Sequence, residues 1–288
     1  MVAGAWIVVS GCKATPLVSL AWAPPDQAIA YAAYLHDNQG LGPLTPRSPE
    51  WAAALRSARE GPGADRDLRS HVALAGRLRE LELPRWPDAE LRISGLDGER
   101  LIVEGIHADP GPSPDPGANA ADRDDYALLK ALAGEQWLWG VIDRSGALES
   151  FYLPEAQKVG LSLLFRLPDG PVRIGDSWDV PLQLVQLDAR FSSRVTSSFS
   201  RATLLAMDTV GGARRAMILY LSQQSTEGVL EGTPGGATRP FQVAAYAAGC
   251  AIVDVESGVI EEYTGQLVYE GSGGVRIDGS KVLALRSR

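Results

Sequence analysis

The chain has 288 residues, of which 45 % are hydrophobic and 22 % charged, with a formal net charge of −8 and a pI near 5.0. This composition supplies a sizeable core and excludes global disorder. It also argues against nucleic acid as a partner, because the basic residues are dispersed and their densest cluster, Arg77, Arg79 and Arg85, is interleaved with Glu80 and Glu82.

The first segment, Val2 to Val9, is an uncharged apolar run. It has the length of a minimal signal-peptide apolar region and is too short to cross a bilayer. Val9-Ser10-Gly11-Cys12 follows: an aliphatic residue, two small ones and a cysteine. This pattern resembles the bacterial lipobox. The resemblance implies that residues 1–11 are a signal peptide, and that Cys12 becomes the amino-terminal residue of the mature protein, carrying a diacylglycerol and an acylated amine. No Lys or Arg precedes the run, so this reading expects a basic region further upstream. The competing reading makes residues 2–9 a buried strand and Cys12 a core thiol. The chain has two cysteines; acylation of Cys12 leaves Cys250 alone, in an apolar stretch that fits a buried, inert thiol.

Residues 12–25, with Pro16, Pro24 and Pro25, read as a lipidated tether leaving the membrane. Residues 26–108 read as a helical region followed by a hairpin. Asp26 is positioned to cap a helix reaching about Leu35. Ser48-Pro49 opens a second helix that ends before Gly61-Pro62-Gly63, and a third spans about Asp65 to Leu81. Glu90–Ser94 and Glu99–Ile106 alternate around Leu96-Asp97-Gly98 and predict the hairpin. Residues 109–120 are rich in proline and read as a linker or long loop.

Residues 121–288 read as an antiparallel β domain with short helices at about 122–133 and 155–167. Strands are predicted at 136–142 and 147–153, joined by Asp143-Arg-Ser-Gly146, and then at 179–190, 194–207, 213–224, 241–254, 258–270 and 275–286. The fold class is therefore α+β and mainly β: an antiparallel curved sheet or half-barrel in the second half, with a helical N-terminal region. A transmembrane barrel is excluded, since the first half lacks the required alternating segments.

Phe165-Arg-Leu-Pro168 and Pro171-Val-Arg-Ile-Gly-Asp-Ser-Trp178 resemble a segment of an uncharacterised family of secreted bacterial β-sheet proteins, many of them lipoproteins. Ile252-Val-Asp254 before Gly258-Val-Ile260 is similar to a later part of those proteins. The resemblance covers residues 137–288 and implies an all-β fold and no particular activity. Trp178 is expected to cover one end of the sheet.

Few residues stand in patterns that point to a particular chemistry. His36, His71 and His107 lack second ligands at metal-binding spacing. Asp122-Arg-Asp-Asp125 fits the acidic first turn of a helix better than a calcium loop. Glu261-Glu262 are adjacent on a strand and point to opposite faces. Glu270-Gly-Ser-Gly-Gly274 falls short of a nucleophile elbow, and no nucleotide-binding loop occurs. Among seven tryptophans, Trp137 and Trp139 lie two residues apart on a predicted strand, so one face would carry both, either as a ligand surface or as core.

The expectation is a lipid-anchored envelope protein, on the outer membrane facing periplasm or surface. It is attached to the membrane through the Cys12 lipid, requires no cofactor or metal, and carries a non-catalytic β domain. That domain binds a hydrophobic ligand or an envelope protein. A secreted enzyme with a scattered site is the alternative.

Overall fold

Strands from Ile29 to Ser287, some with alternating burial and some buried on both faces, build one antiparallel sheet of 11 strands in the computed structural model. The structure describes residues 17–37, 44–60, 68–83, 87–112, 120–152, 166–185, 191–230, 238–273 and 279–287. The strands are β1 (Ile29–Asp37), β2 (Ala89–Gly95), β3 (Arg100–His107), β4 (Gln136–Asp143), β5 (Leu148–Tyr152), β6 (Ser177–Asp179), β7 (Phe191–Val210), β8 (Ala213–Leu230), β9 (Arg239–Asp254), β10 (Ile260–Gly273) and β11 (Gly279–Ser287). Their order is β5-β4-β3-β2-β1-β11-β10-β9-β8-β7-β6. Two meanders thus meet where β1 pairs with β11, and the sheet is open, with β5 and β6 at its edges.

Two sequence expectations change here. The helix expected from Asp26 to Leu35 is β1. Its alanines favour a helix on propensity alone, and strand pairing overrides them: Tyr31 pairs with Leu91 on one side and Ser287 on the other, its ring buried in the core. Of the strand expected over 179–190, only Asp179 among the described residues lies in a strand, as the last residue of β6, and 186–190 lie outside the described residues. Pro181 cannot donate to a ladder, and the chain instead crosses to β8, where the amide of Leu184 donates to Gln224 Oε1 at 2.8 Å. The proline-rich stretch beginning at Asp109, read as a linker or long loop, lies between β3 and β4, which pair directly in the same sheet. The helix expected at 155–167 falls almost wholly outside the described residues.

The other helices form close to where they are expected. The α1 helix (Pro49–Arg59) has Pro49 in its first turn, although Ser48 makes no side-chain cap and its hydroxyl donates to Thr45 O instead. The α2 helix (Arg69–Arg79) follows, and α3 (Ala120–Leu132) connects β3 to β4. Helices α1 and α2 cover one face of the long strands: Trp51, Leu74 and Leu78 pack with Leu219, Leu221, Ala248 and Ile252. Arg201 Nη1 donates to Ala58 O at 3.0 Å, meeting a carbonyl that the helix end leaves open.

The opposite face is the concave one. A single apolar cluster there contains Leu138 and Ile142 of β4 together with Ala202 and Leu204 of β7, strands from the two sides of the sheet order. The sheet therefore curls until its halves share a core. Strand β8 is buried on both faces, Ile218 and Tyr220 inward and Leu219 and Leu221 beneath the helices, which is why its sequence reads as an unbroken apolar run.

Residues 17–23, expected to be part of a tether, belong to this core from Val18 onward. Val18, Leu20 and Trp22 are 5 %, 2 % and 0 % exposed. Truncating Trp22 to Ala should cost about 3–5 kcal/mol, the usual range for emptying a buried tryptophan site. Leu17, 56 % exposed, should tolerate the same change within about 0.5 kcal/mol. Urea unfolding of the two variants measures the difference.

Candidate functional site

The place where the N-terminal segment enters the body is built from two extended stretches. Residues 166–176 run from one half of the sheet to the other: the amide of Leu167 donates to Ser145 O at 2.9 Å in the β4–β5 turn, and that of Gly175 donates to Leu204 O at 2.8 Å on β7. The N-terminal segment lies against this stretch, with Val18 and Val172 exchanging backbone hydrogen bonds of 2.9 and 2.8 Å. It then passes the turns of both meanders. Trp22 N donates to Arg144 O at 2.9 Å, and Ala23 N donates to Ser257 O at 2.8 Å.

Both turns are closed by an aspartate. Asp143 Oδ1 accepts from the amides of Ser145 and Ala147 and from the Ser145 hydroxyl. Asp254 Oδ1 accepts from the amides of Glu256 and Ser257 and from the Ser257 hydroxyl. Gly258, at φ +70°, completes the second turn; a Cβ there would sit 2.0 Å from Ala21 O, so the strap approaches this closely only past glycine.

Partial burial alone pushes the Asp143 carboxyl up, but the Ser145 hydroxyl, the amides of Ala147 and Ser145 and the Arg166 charge outweigh it and hold it below the ordinary value of 3.8. For Asp254, burial is outweighed in the same way by the Ser257 hydroxyl, the Ser257 and Glu256 amides and Arg215.

The tryptophan pair is separated. The β3–β4 register skips Trp137, pairing Gly105 with Leu138 and Ile106 with Gln136. This bulge turns Trp137 inward over Gly105, where a Cβ would come within 2.7 Å of its ring, and against the concave core. Trp139 remains 38 % exposed. Two-residue spacing alone could not reveal the bulge, so no shared two-indole surface forms.

Cys12 lies outside the described residues. Cys250 is buried under the helices and burial pushes its thiol up to about 12, which fits an inert role. His71 is fully buried on α2, and His107 stands beside Trp137 with ring centroids 6.3 Å apart. The His36 side chain lies outside the described residues. Glu261 pairs with Arg215 at 2.8 Å, and Glu262 pairs with Arg79 and Arg286 at 3.5 and 3.4 Å, so arginines engage both carboxylates. Glu270 pairs with Arg47 at 3.3 Å. Trp178 packs against the concave core from beside β7. Among the described residues no group of three His, Cys, Asp or Glu is placed to hold a metal ion, and no helix is long and apolar enough to cross a membrane.

An open groove of about 580 Å³ lies at the far ends of the long strands. Ser192, Ser193, Arg194, Glu227 and Phe241 line it, and Arg194 Nε bonds Glu227 at 2.9 Å across it. Sequence patterning gave no sign of this groove, because its walls come from the ends of four strands, β7 to β10, that only the sheet brings together. Comparison with protein families, with curated proteins and with solved structures finds no significant match to this chain.

The signs of the two aspartate shifts fix a pH dependence. A carboxyl held below 3.8 in the fold stabilises it fully above that value and loses the contribution as pH falls through and below it. The Asp143→Asn, Asp254→Asn double variant should therefore be less stable at neutral pH and lose less further stability on acidification from pH 5 to about 2. Chemical unfolding across that pH series measures it; parallel curves for both proteins would contradict the assignment.

Proposed function

We propose that the protein is a lipid-anchored component of a bacterial cell envelope whose β body works as a packed scaffold for envelope protein partners. The anchor part of this reading rests on the apolar run Val2–Val9 and on Val9-Ser10-Gly11-Cys12. The scaffold part rests on one observation: the concave side of the sheet is filled with side chains. Ile93, Leu101, Ile142, Leu204, Ile218 and Tyr220 are each 0 % exposed there, and Leu20, Trp22 and Leu167 are folded in among them.

A carrier of hydrophobic ligands requires an apolar hollow. The groove at the strand tips is open and mixes Val229, Pro240 and Phe241 with serines and an arginine–glutamate pair, a combination of apolar and polar groups that suits contact with a protein surface. The interior thus favours the scaffold over the carrier.

The anchor is tested by intact-mass analysis of the protein extracted from bacterial membranes. The expected product begins at Cys12 and carries acyl chains, whereas Cys12→Ala stays unprocessed and incorporates no labelled palmitate. A wild-type product that keeps Met1 and gains no acyl mass contradicts the reading. The scaffold part is tested on the same sample by native mass spectrometry: lipid released stoichiometrically from the body, beyond the anchor itself, would favour a carrier.

A further inference from the structure

We propose that the side of the body carrying Leu17, Gly170 and Arg173 is held directly against a lipid bilayer, with the groove at the strand tips facing away from it. This inference rests on the anchor reading above and deepens it by naming the surface that meets the membrane.

The argument is one of chain length. Val18 is fixed: it is 5 % exposed and pairs with Val172. From Cys12 to Val18 there are six residue steps, which at full extension reach only about 20 Å. Had residues 12–25 all been tether, the body could have turned freely at more than twice that distance. With the core beginning at Val18, the place where the strap enters must stay within about 20 Å of the lipid headgroups.

The surface at that point suits the position. Leu17 is a large apolar residue at 56 % exposure immediately before the pinned Val18. Around it, Gly170, Pro171 and Arg173 are exposed on the stretch that pairs with the strap. Of two nearby carboxylates, Asp169 accepts from Arg166 Nη2 at 2.9 Å and so has a cationic partner, whereas Asp176 accepts from the backbone amide of Arg173 at 2.7 Å, a contact that brings no counter-charge. The tip groove lies far away along β7. Gly175 bonds Leu204, whereas Arg194 lines the groove, and those ten residues of strand span about 33 Å.

The test uses the full-length protein, acylated in bacteria and reconstituted into phosphatidylethanolamine–phosphatidylglycerol vesicles containing brominated lipid. A fluorophore is placed at Gly170→Cys or at Ser272→Cys, both in a Cys250→Ala background. Gly170 has open space around its Cβ position and Ser272 lines the tip groove. A third protein carries the Gly170 label and a twenty-residue Gly/Ser insertion between Ala14 and Thr15.

The expected result is loss of fluorescence at position 170, none at 272, and recovery at 170 when the insertion frees the body. Equal quenching at the two positions, or quenching confined to 272, overturns the proposed orientation while leaving the anchor intact. Absence of acyl mass in the same preparation overturns the anchor and the orientation together, so the two failures are distinguishable.

Discussion

The fold depends on one constraint: a short N-terminal strap must hold together two halves of an open sheet. The β1–β5 and β6–β11 meanders join side by side only where β1 meets β11. Curling brings their far strands towards a common core, but the edges β5 and β6 do not pair with each other. Backbone hydrogen bonds from Trp22 and Ala23 reach the β4–β5 turn and the β9–β10 turn, one in each half. The Trp22 side chain fills the space between them at 0 % exposure. Each bond is worth only about 0.5–1.5 kcal/mol net, so the buried tryptophan carries most of the attachment.

From this constraint follow the other features of the core. The strap and residues 166–176 occupy the concave side, so the curved sheet has no need of helices there. Helices α1 and α2 are left to cover the convex side of the long strands. That leaves β8 and β9 buried on both faces and places Cys250 where its thiol is shielded. A filled interior also moves any recognition to the outside, towards the strand tips and the side where the strap enters.

The long strands were legible because two-sided burial demands an uninterrupted apolar sequence, as in Ala216–Leu221 and Ala247–Val253. Hairpins announced themselves through turn chemistry at Asp143–Gly146 and Asp254–Gly258. What escaped was decided by contacts distant in sequence. The β1 strand is rich in alanine, a helix former by propensity that pairing with β2 and β11 overrides. The strap does alternate, with Val18, Leu20 and Trp22 inward, but Ala21 between them and Leu17 and Ala23 on either side are also apolar and disguise the period. The Trp137 bulge depends on a glycine across the ladder, Gly105, which strand spacing does not reveal.

The most direct measurement is amide hydrogen exchange of the native protein, resolved at Val18, Trp22 and Ala23. If the strap is part of the cooperative core, these three amides exchange only as slowly as those of β8 and β9, through global unfolding. Rapid exchange there, with β8 and β9 still protected, would show that the segment opens independently and that the sheet holds its curvature without it.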